Sequence, residues 1–345
     1  SPDMKYHAGI NSAVTIERPA CLANSCRIVS DCIRPSIRNA SAYIALSIPS
    51  VDSLPQVLDS SGVFGKTQGL DWLPDGIPIS GVLGDQQAAL AGQTCFDVGE
   101  AKCTYGTGAF LLANLGTKPL VSKAGMLTTV AWSLGGKLTY AFEGSAFIAG
   151  AAVQFLRDQL RLIRSASETE AIARSVTAAP EVYFVPALAG LGAPYWDPKA
   201  QGAFFGLTRG TSQAQMVRAV LEGIALQVRE LTEAMARDLG SPLQVLRVDG
   251  GAAANSVLMQ AQADYAGIRV DRPANLETTA FGAALFAGLG IGLYANVEQM
   301  RLARRTEHIF SPASTPSEKA AINAHIRGWQ RAVKAVQVFA GTAQA

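Results

Sequence analysis

Short apolar runs separated by glycine turns dominate residues 77–142 of the chain. A run at 77–84 predicts a strand that turns through glycine into a helix beginning near Asp85. Farther along, alternating apolar residues predict a meander of four strands at 101–105, 109–114, 127–132 and 137–142. A helix is predicted to follow over 144–162. Residues 47–81 are rich in Pro, Gly, Ser and Asp and predict loops and short strands, whereas residues 1–45 show no sustained periodicity.

The second half of the chain alternates between strand and helix patterns. Strands are predicted at 182–186, 243–248 and 268–270, and helices at 212–239, 254–265, 279–293 and 317–339. Ser212 and Gln215 form a capping-box pattern at the start of the longest helix, and Gly240 provides its stop. Its apolar face is formed by Met216, Val220, Ile224, Leu231 and Met235. This order predicts an α/β fold with a mixed sheet covered by helices, compatible with an actin-like ATPase domain.

Composition narrows the functional classes. The chain has 345 residues, 49% hydrophobic and 16% charged, which is enough apolar material for a large core. A formal net charge of +2 gives no reason to expect nucleic acid or an acidic membrane as a partner. Five cysteines without a CxxC pair, and three histidines without ligand spacing, predict a cytoplasmic protein with reduced thiols and no metal ligands of its own. The apolar run at 279–295 is short and rich in glycine, so we expect a buried helix rather than a membrane span.

Three glycine-bearing turns are candidates for chemistry, and each has a plain structural alternative. The turn Gly106-Thr107-Gly108 could let backbone amides approach a phosphate, or could simply close a hairpin. The pair Gly250-Gly251 could admit a nucleotide, or could satisfy a tight strand-to-helix turn. Asp85 could act as a general base, or could cap the helix that it begins. Neither a GxGxxG nor a Walker pattern is present, which excludes Rossmann and P-loop interpretations.

The order of several motifs goes further than any single turn. The chain resembles the glycerol kinase branch of the FGGY carbohydrate kinase family over about residues 46–310. The resemblance rests on GDQQAALAGQ (84–93), YGTGAF (105–110), EGSAFIAGAAVQFLRD (143–158), GLGAPYWDPKAQGAFFGLTRG (190–210), LRVDGGAAANSVLMQ (246–260) and ETTAFGAALFAGLGIG (277–292).

The resemblance implies a fold, a reaction and site residues. It implies an actin-like (ribonuclease H-like) ATPase domain and phosphorylation of glycerol to sn-glycerol 3-phosphate by ATP, with Mg²⁺ held mainly by phosphate. Asp85 would be the catalytic base that also contacts glycerol, and Gln86 and Phe110 would be further substrate contacts. The implied nucleotide contacts are Thr107, Gly150, Gln154, Gly251 and Asn255. A homo-oligomer is compatible with this interpretation.

The resemblance also implies a division of the chain. Residues 1–45 stay unassigned, 46–94 would be a remnant of the N-terminal kinase domain, 95–310 the C-terminal ATPase domain, and 311–345 a C-terminal helix. The family's first phosphate hairpin is missing, since no Asp-x-Gly-Thr string occurs, and its N-terminal glycerol clamp is missing too. We therefore expect an N-terminally truncated chain with impaired activity. Two alternatives remain open, namely a catalytically silent nucleotide-binding remnant and a kinase for another polyol or sugar.

Overall fold

The computed structural model describes residues 56–176 and 181–342. The prediction for residues 1–45 lies outside the described residues. The chain divides into two units, of which the first comprises Ser1–Leu58 and Gly65–Ile77, and the second Asp59–Phe64 and Pro78–Ala345. In the first unit, Thr67 and Gly76 close a loop, because the Gly76 amide donates to the Thr67 carbonyl at 2.8 Å and the Gly69 amide donates to Asp75 Oδ1 at 2.7 Å.

A mixed sheet forms the centre of the second unit. Seven strands of the described chain pair in the order β11-β10-β9-β3-β4-β6-β5. Their bounds are β3 Ala101–Tyr105, β4 Ala109–Gly116, β5 Leu127–Leu134, β6 Lys137–Ala146, β9 Val245–Asp249, β10 Arg269–Pro273 and β11 Thr306–Phe310. Strands β3 to β6 all pair antiparallel, but the predicted meander is wrong in its order, because β4 pairs with β6 and β5 lies at the edge of the sheet. Strand β9 joins β3 in parallel. Two small sheets accompany it, β1 (Ser61–Lys66) with β2 (Pro78–Gly81) and β7 (Tyr183–Val185) with β8 (Ala203–Phe205).

Helices cover both faces of this sheet. They are α1 Asp85–Gly92, α2 Gly150–Asp158, α3 Glu168–Arg174, α4 Gln213–Leu239, α5 Ser256–Ala266, α6 Thr278–Gly290, α7 Val297–Arg301 and α8 Pro316–Ala340. Adjacent residues of β4 point to opposite faces: Leu111 packs with the cluster that includes α4 and α5, and Leu112 packs with α1 and α6. The expected α/β fold with a helix-covered mixed sheet is therefore confirmed.

The long helix α4 shows why local sequence signals worked well here. Ser212 accepts the Gln215 amide in a complete capping box, and Gly240 ends the helix at φ 71°. On the predicted apolar face, Val220, Ile224, Leu231 and Met235 are buried, and Met216 is half-buried. Burial of this stripe under the sheet supplies stability that helix propensity alone does not.

Helices α1 and α6 pack unusually closely. A Cβ on Gly282 would lie 1.8 Å from the Ala88 carbonyl oxygen, and a Cβ on Gly92 would lie 2.0 Å from the Thr278 carbonyl oxygen. Neither position can accept a side chain without separating the two helices. These glycines therefore hold α1, which begins at Asp85, directly against α6.

Several expectations need correction. The helix predicted over 144–162 is wrong at its start, because residues 144–146 continue β6, where Ala146 pairs with Ala109 of β4. Helix α2 begins only at Gly150. Pairing with a neighbouring strand overrode the local helix signal. Strands β8 and β11 and helices α3 and α7 were not predicted from the sequence, and all four are short elements.

No helix in residues 56–176 and 181–342 has both the length and the apolar character needed to cross a bilayer.

Candidate active site

The turn between β3 and β4 packs against the start of α2. The Gly150 amide donates to the Gly106 carbonyl at 2.9 Å, and the Ala149 amide donates to the Thr107 carbonyl at 2.8 Å. A Cβ on Gly150 would lie 2.6 Å from the Gly106 oxygen, so only glycine permits this contact. The Thr107 side chain is exposed. The hairpin is thus held from one side by α2, with its threonine hydroxyl accessible to a ligand.

The end of β9 meets the same hairpin from the other side. Gly250 has φ 83°, and a Cβ there would lie 2.6 Å from the Tyr105 carbonyl oxygen. Of the two glycines in the predicted tight turn, Gly250 is therefore the one whose backbone conformation requires glycine. Gly251 begins a 3₁₀ turn, and a Cβ added to it would meet nothing within 4 Å. Open space beside the Gly251 backbone is what a bound ring or phosphate would require.

Two other residues predicted to contact nucleotide differ in their present contacts: the Gln154 side chain is exposed, whereas the Asn255 side chain is hydrogen-bonded within the protein. Gln154 is exposed on α2, one turn after Gly150. Asn255 is the N-cap of α5: its Oδ1 accepts the Val257 and Leu258 amides, each at 3.0 Å, and its Nδ2 donates to Thr169 Oγ1 at 3.0 Å. Asn255 therefore has a structural role, and a contact with nucleotide stays a prediction.

Asp85 stands at the first residue of α1 and is exposed. The alternative that Asp85 caps the helix is wrong, because the N-cap position is occupied by Gly84. Asp85 Oδ1 instead accepts the Gln86 amide at 2.8 Å. No ion pair of Asp85 occurs in the described part of the structure, and its role as a base stays a prediction.

Lys102 of β3 connects the predicted substrate residues Gln86 and Phe110, and it was not among the predicted site residues. Its side chain is fully buried, and Nζ donates to Gln86 Oε1 at 2.5 Å, to Thr104 Oγ1 at 2.8 Å and to the Phe110 carbonyl at 3.3 Å. A lysine in the middle of the apolar strand AKCTY was the available signal, since lysine is almost never fully buried without partners.

Burial and nearby charges act in opposite directions on the pKa values of Lys102 and its acidic neighbours. Burial lowers the pKa of Lys102, and the Asp249 carboxylate is the strongest opposing influence. Burial raises the pKa of Asp249 and of Glu143, and in both cases the Lys102 ammonium opposes the rise. The Asp85 charge adds a smaller contribution to the rise in the pKa of Glu143.

A second set of polar contacts connects Gln93, the residue after α1, to the end of β9. Gln93 Nε2 donates to Asp249 Oδ2 at 2.7 Å, and Arg304 Nε donates to Gln93 Oε1 at 2.9 Å. Arg304 is in turn paired with Asp271 at 2.9 Å. This network links Gln93, the residue after α1, to Asp249, the last residue of β9.

The predicted residues therefore form two groups joined by β3. Thr107, Gly150 and Gly251 lie around the carboxyl ends of the parallel strands β3 and β9, where Gly150 and Gly250 both contact the hairpin backbone. Gln86 and the Phe110 backbone are joined through Lys102. In the described part of the chain, no cluster of three or more His, Cys, Asp or Glu side chains is arranged to hold a metal ion.

This topology combines the antiparallel strands β3 to β6 with the parallel strands β9 and β10, and it places a glycine hairpin at the ends of the central strands β3 and β4. It is the topology of an actin-like α/β ATPase fold. Comparison with known proteins gives the family. Residues 101–291 match the sequence model described as the FGGY family of carbohydrate kinases, C-terminal domain. The chain belongs to this family.

Relatives that share about half of the aligned residues with this chain are named glycerol kinases. The chain is 55% identical over 291 residues to the glycerol kinase of Myxococcus xanthus, covering 84% of this chain and 58% of that protein. It is 51% identical over 284 residues to the glycerol kinase of Bdellovibrio bacteriovorus, covering 82% of this chain and 57% of that protein. The chain thus spans somewhat more than half the length of these relatives.

Solved structures agree on the fold. Plasmodium falciparum glycerol kinase with ADP matches with a TM-score of 0.72 and 36% identity, covering 81% of this chain and 55% of that one. A ligand-bound xylulose kinase of Lactobacillus acidophilus matches with a TM-score of 0.73 and 18% identity, covering 87% of this chain and 61% of that one. The second likeness concerns the fold alone.

Proposed function

We propose that this chain carries the nucleotide-binding domain and the catalytic base of a kinase that transfers the γ-phosphoryl group of ATP to glycerol. The observation that carries the proposal is the exposed Asp85 carboxylate at the start of α1, beside Gln86, whose amide oxygen is held by Lys102. Residues 95–310 would form the ATPase domain, 46–94 the end of the preceding domain, and 311–345 a terminal helix, in a cytoplasmic enzyme.

The proposed reaction needs one base and precise alignment of the glycerol hydroxyl with the γ-phosphorus. The glycerol hydroxyl attacks the γ-phosphorus, its proton passes to the Asp85 carboxylate, and ADP leaves with the electrons of the broken P–O bond. Gln86 would contact a second hydroxyl, and the Phe110 ring would cover the carbon atoms. Mg²⁺ would arrive on the phosphate oxygens, and no residue of this chain is assigned to it.

The nucleotide would lie around the hairpin. Thr107 would donate its hydroxyl to a phosphate, and Gly150 would allow the close approach of α2. Gly251, Gln154 and Asn255 would lie on the nucleoside side, where the open space at Gly251 accommodates a flat ring.

Glycerol is favoured over other acceptors by the relatives. Two proteins named glycerol kinase share at least half of the aligned residues with this chain, including the 55% of the Myxococcus xanthus protein. The xylulose kinase resemblance rests on 18% identity and supports no acceptor. Calorimetric titration with ADP and then with glycerol, xylulose and gluconate tests the proposal. Binding of ADP together with xylulose or gluconate in preference to glycerol would contradict the substrate, and absence of ADP binding would contradict the nucleotide site.

Replacing Gly251 tests the nucleotide site without disturbing the fold. Because a Cβ at this position meets nothing within 4 Å, Gly251→Ala is expected to fold and melt as the parent chain does. A nucleotide lying against the backbone would meet the new methyl group, so we expect ADP affinity to fall about tenfold.

The matched control is Gly65→Ala in β1, where a Cβ also meets nothing within 4 Å. It should leave ADP affinity unchanged. Equal ADP affinity of the Gly251→Ala variant and the parent chain would remove Gly251 from the proposed site.

A further inference from the structure

The Lys102 ammonium is saturated by groups of the protein itself. Its three acceptors are Gln86 Oε1, Thr104 Oγ1 and the Phe110 carbonyl oxygen, at 2.5, 2.8 and 3.3 Å. An ammonium group has three donors and no acceptor, so this arrangement uses all of them. Because the side chain is also fully buried, Lys102 cannot reach a substrate directly.

The contact with Gln86 has a consequence for the outward-facing atom of that side chain. A glutamine amide has a carbonyl oxygen that accepts and an NH₂ group that donates, and the two orientations differ by a flip. A cation can bond only to the oxygen. Lys102 therefore selects the orientation in which Gln86 Oε1 is turned inward and Nε2 is left as the group available to a ligand.

We infer that Lys102 is a positioning residue that makes Gln86 a hydrogen-bond donor toward the polyol. The exposed Asp85 carboxylate next to it is an acceptor. The pair then recognises two neighbouring hydroxyl groups, one that gives its proton to Asp85 and one whose oxygen accepts from Gln86. This inference rests on the proposed function and adds the donor–acceptor pattern that the acceptor substrate must match.

The first test follows the Gln86 side-chain amide by NMR in the ¹⁵N-glutamine-labelled chain, with its signals assigned by their loss in Gln86→Leu. Lys102→Met removes all three donors, so the Gln86 amide pair should move or broaden. Lys137→Met is the control, since Lys137 is an exposed lysine at the start of β6, and it should leave the pair unchanged. A Gln86 pair that is the same in Lys102→Met and the parent chain overturns the inference.

The second test measures substrate recognition, with glycerol and propane-1,3-diol added to the same samples. In the parent chain glycerol should shift the Gln86 pair, and propane-1,3-diol, which lacks neighbouring hydroxyls, should need a concentration about tenfold higher. Lys102→Met should raise the glycerol midpoint about tenfold. If glycerol leaves the parent pair unmoved, the proposed glycerol site is wrong, and the substrate part of the inference falls with it. The orienting role of Lys102 is then decided by the first test alone.

Gln86→Glu keeps the inference testable should Lys102→Met not fold. The half-buried glutamate preserves the shape and the contact with Lys102 but turns an acceptor toward the ligand in place of a donor. We expect glycerol to bind about tenfold more weakly despite an intact fold, because the oxygen of the second hydroxyl then faces an acceptor in place of the donor that it needs. Equal glycerol binding by Gln86→Glu and the parent chain would overturn the donor role of Gln86.

Discussion

The purified 345-residue chain is expected to bind ADP but to phosphorylate glycerol at no more than about 10⁻³ s⁻¹, about 10⁴-fold below a typical enzyme turnover. The family resemblance implies two phosphate hairpins, and the sequence contains only the one at Gly106–Gly108, with no Asp-x-Gly-Thr string. Each preorganised phosphate contact is worth about 3 kcal/mol, and correct positioning of the acceptor adds several more. A coupled assay that detects ADP release measures this rate.

Asp85→Asn is the control for that assay. Loss of the base should lower any residual rate by a further factor of about 10² to 10⁴ and leave ADP affinity unchanged, since Asp85 lies on α1 and not at the hairpin. Turnover of about 1 s⁻¹ or faster in the parent chain, abolished in Asp85→Asn, would show that the second hairpin is dispensable. Residual turnover that is the same in both proteins would remove Asp85 from the mechanism.

Glu230→Gln is expected to stabilise the protein at pH 8 by about 3 kcal/mol and to have little effect near pH 4.5. Glu230 of α4 accepts hydrogen bonds from the Tyr195 hydroxyl at 2.7 Å and from Trp329 Nε1 at 2.9 Å, and so holds the terminal helix α8. Burial raises the pKa of Glu230 from 4.5 to about 7, although both hydrogen bonds oppose the rise. A carboxyl with a raised pKa favours folding while it is protonated.

The sign of the pH dependence follows from this shift. The contribution of Glu230 to stability is complete below the unfolded pKa of about 4.5 and is lost as the pH rises through about 7. The glutamine keeps the acceptor oxygen and cannot ionise, so its advantage should grow between pH 4.5 and 7 and then level off. Chemical denaturation at several pH values measures the difference in free energy of unfolding.

Glu233→Gln on the same helix is the matched control for this prediction. The Glu233 side chain is 46% exposed and pairs with Arg229, so its removal should change stability by less than about 1 kcal/mol across the same pH range. A difference between parent and Glu230→Gln that does not vary with pH would mean that Glu230 stays ionised in the folded protein.

Much of this protein is determined by local sequence. The capping box at Ser212 and the stop at Gly240 define α4, because both act through backbone groups within one turn of the residue concerned. The alternation in β3 and β4 placed the hairpin, and the motif order indicated the family that residues 101–291 match. These signals are strong because each depends on near neighbours in the chain.

Tertiary structure decided the rest, because the partners are distant in sequence. Residues 144–146 became strand rather than helix because β4 offered hydrogen-bond partners. Asn255 proved to cap α5 and to bond Thr169, 86 residues away. The role of Lys102 depends on the burial of its side chain on one face of the sheet and on its contact with Gln86, 16 residues earlier in a different element. Hydrophobic pattern and helix or strand propensity depend on residues that are close in sequence. The orientation of a buried polar side chain depends on the donors and acceptors that the fold places next to it.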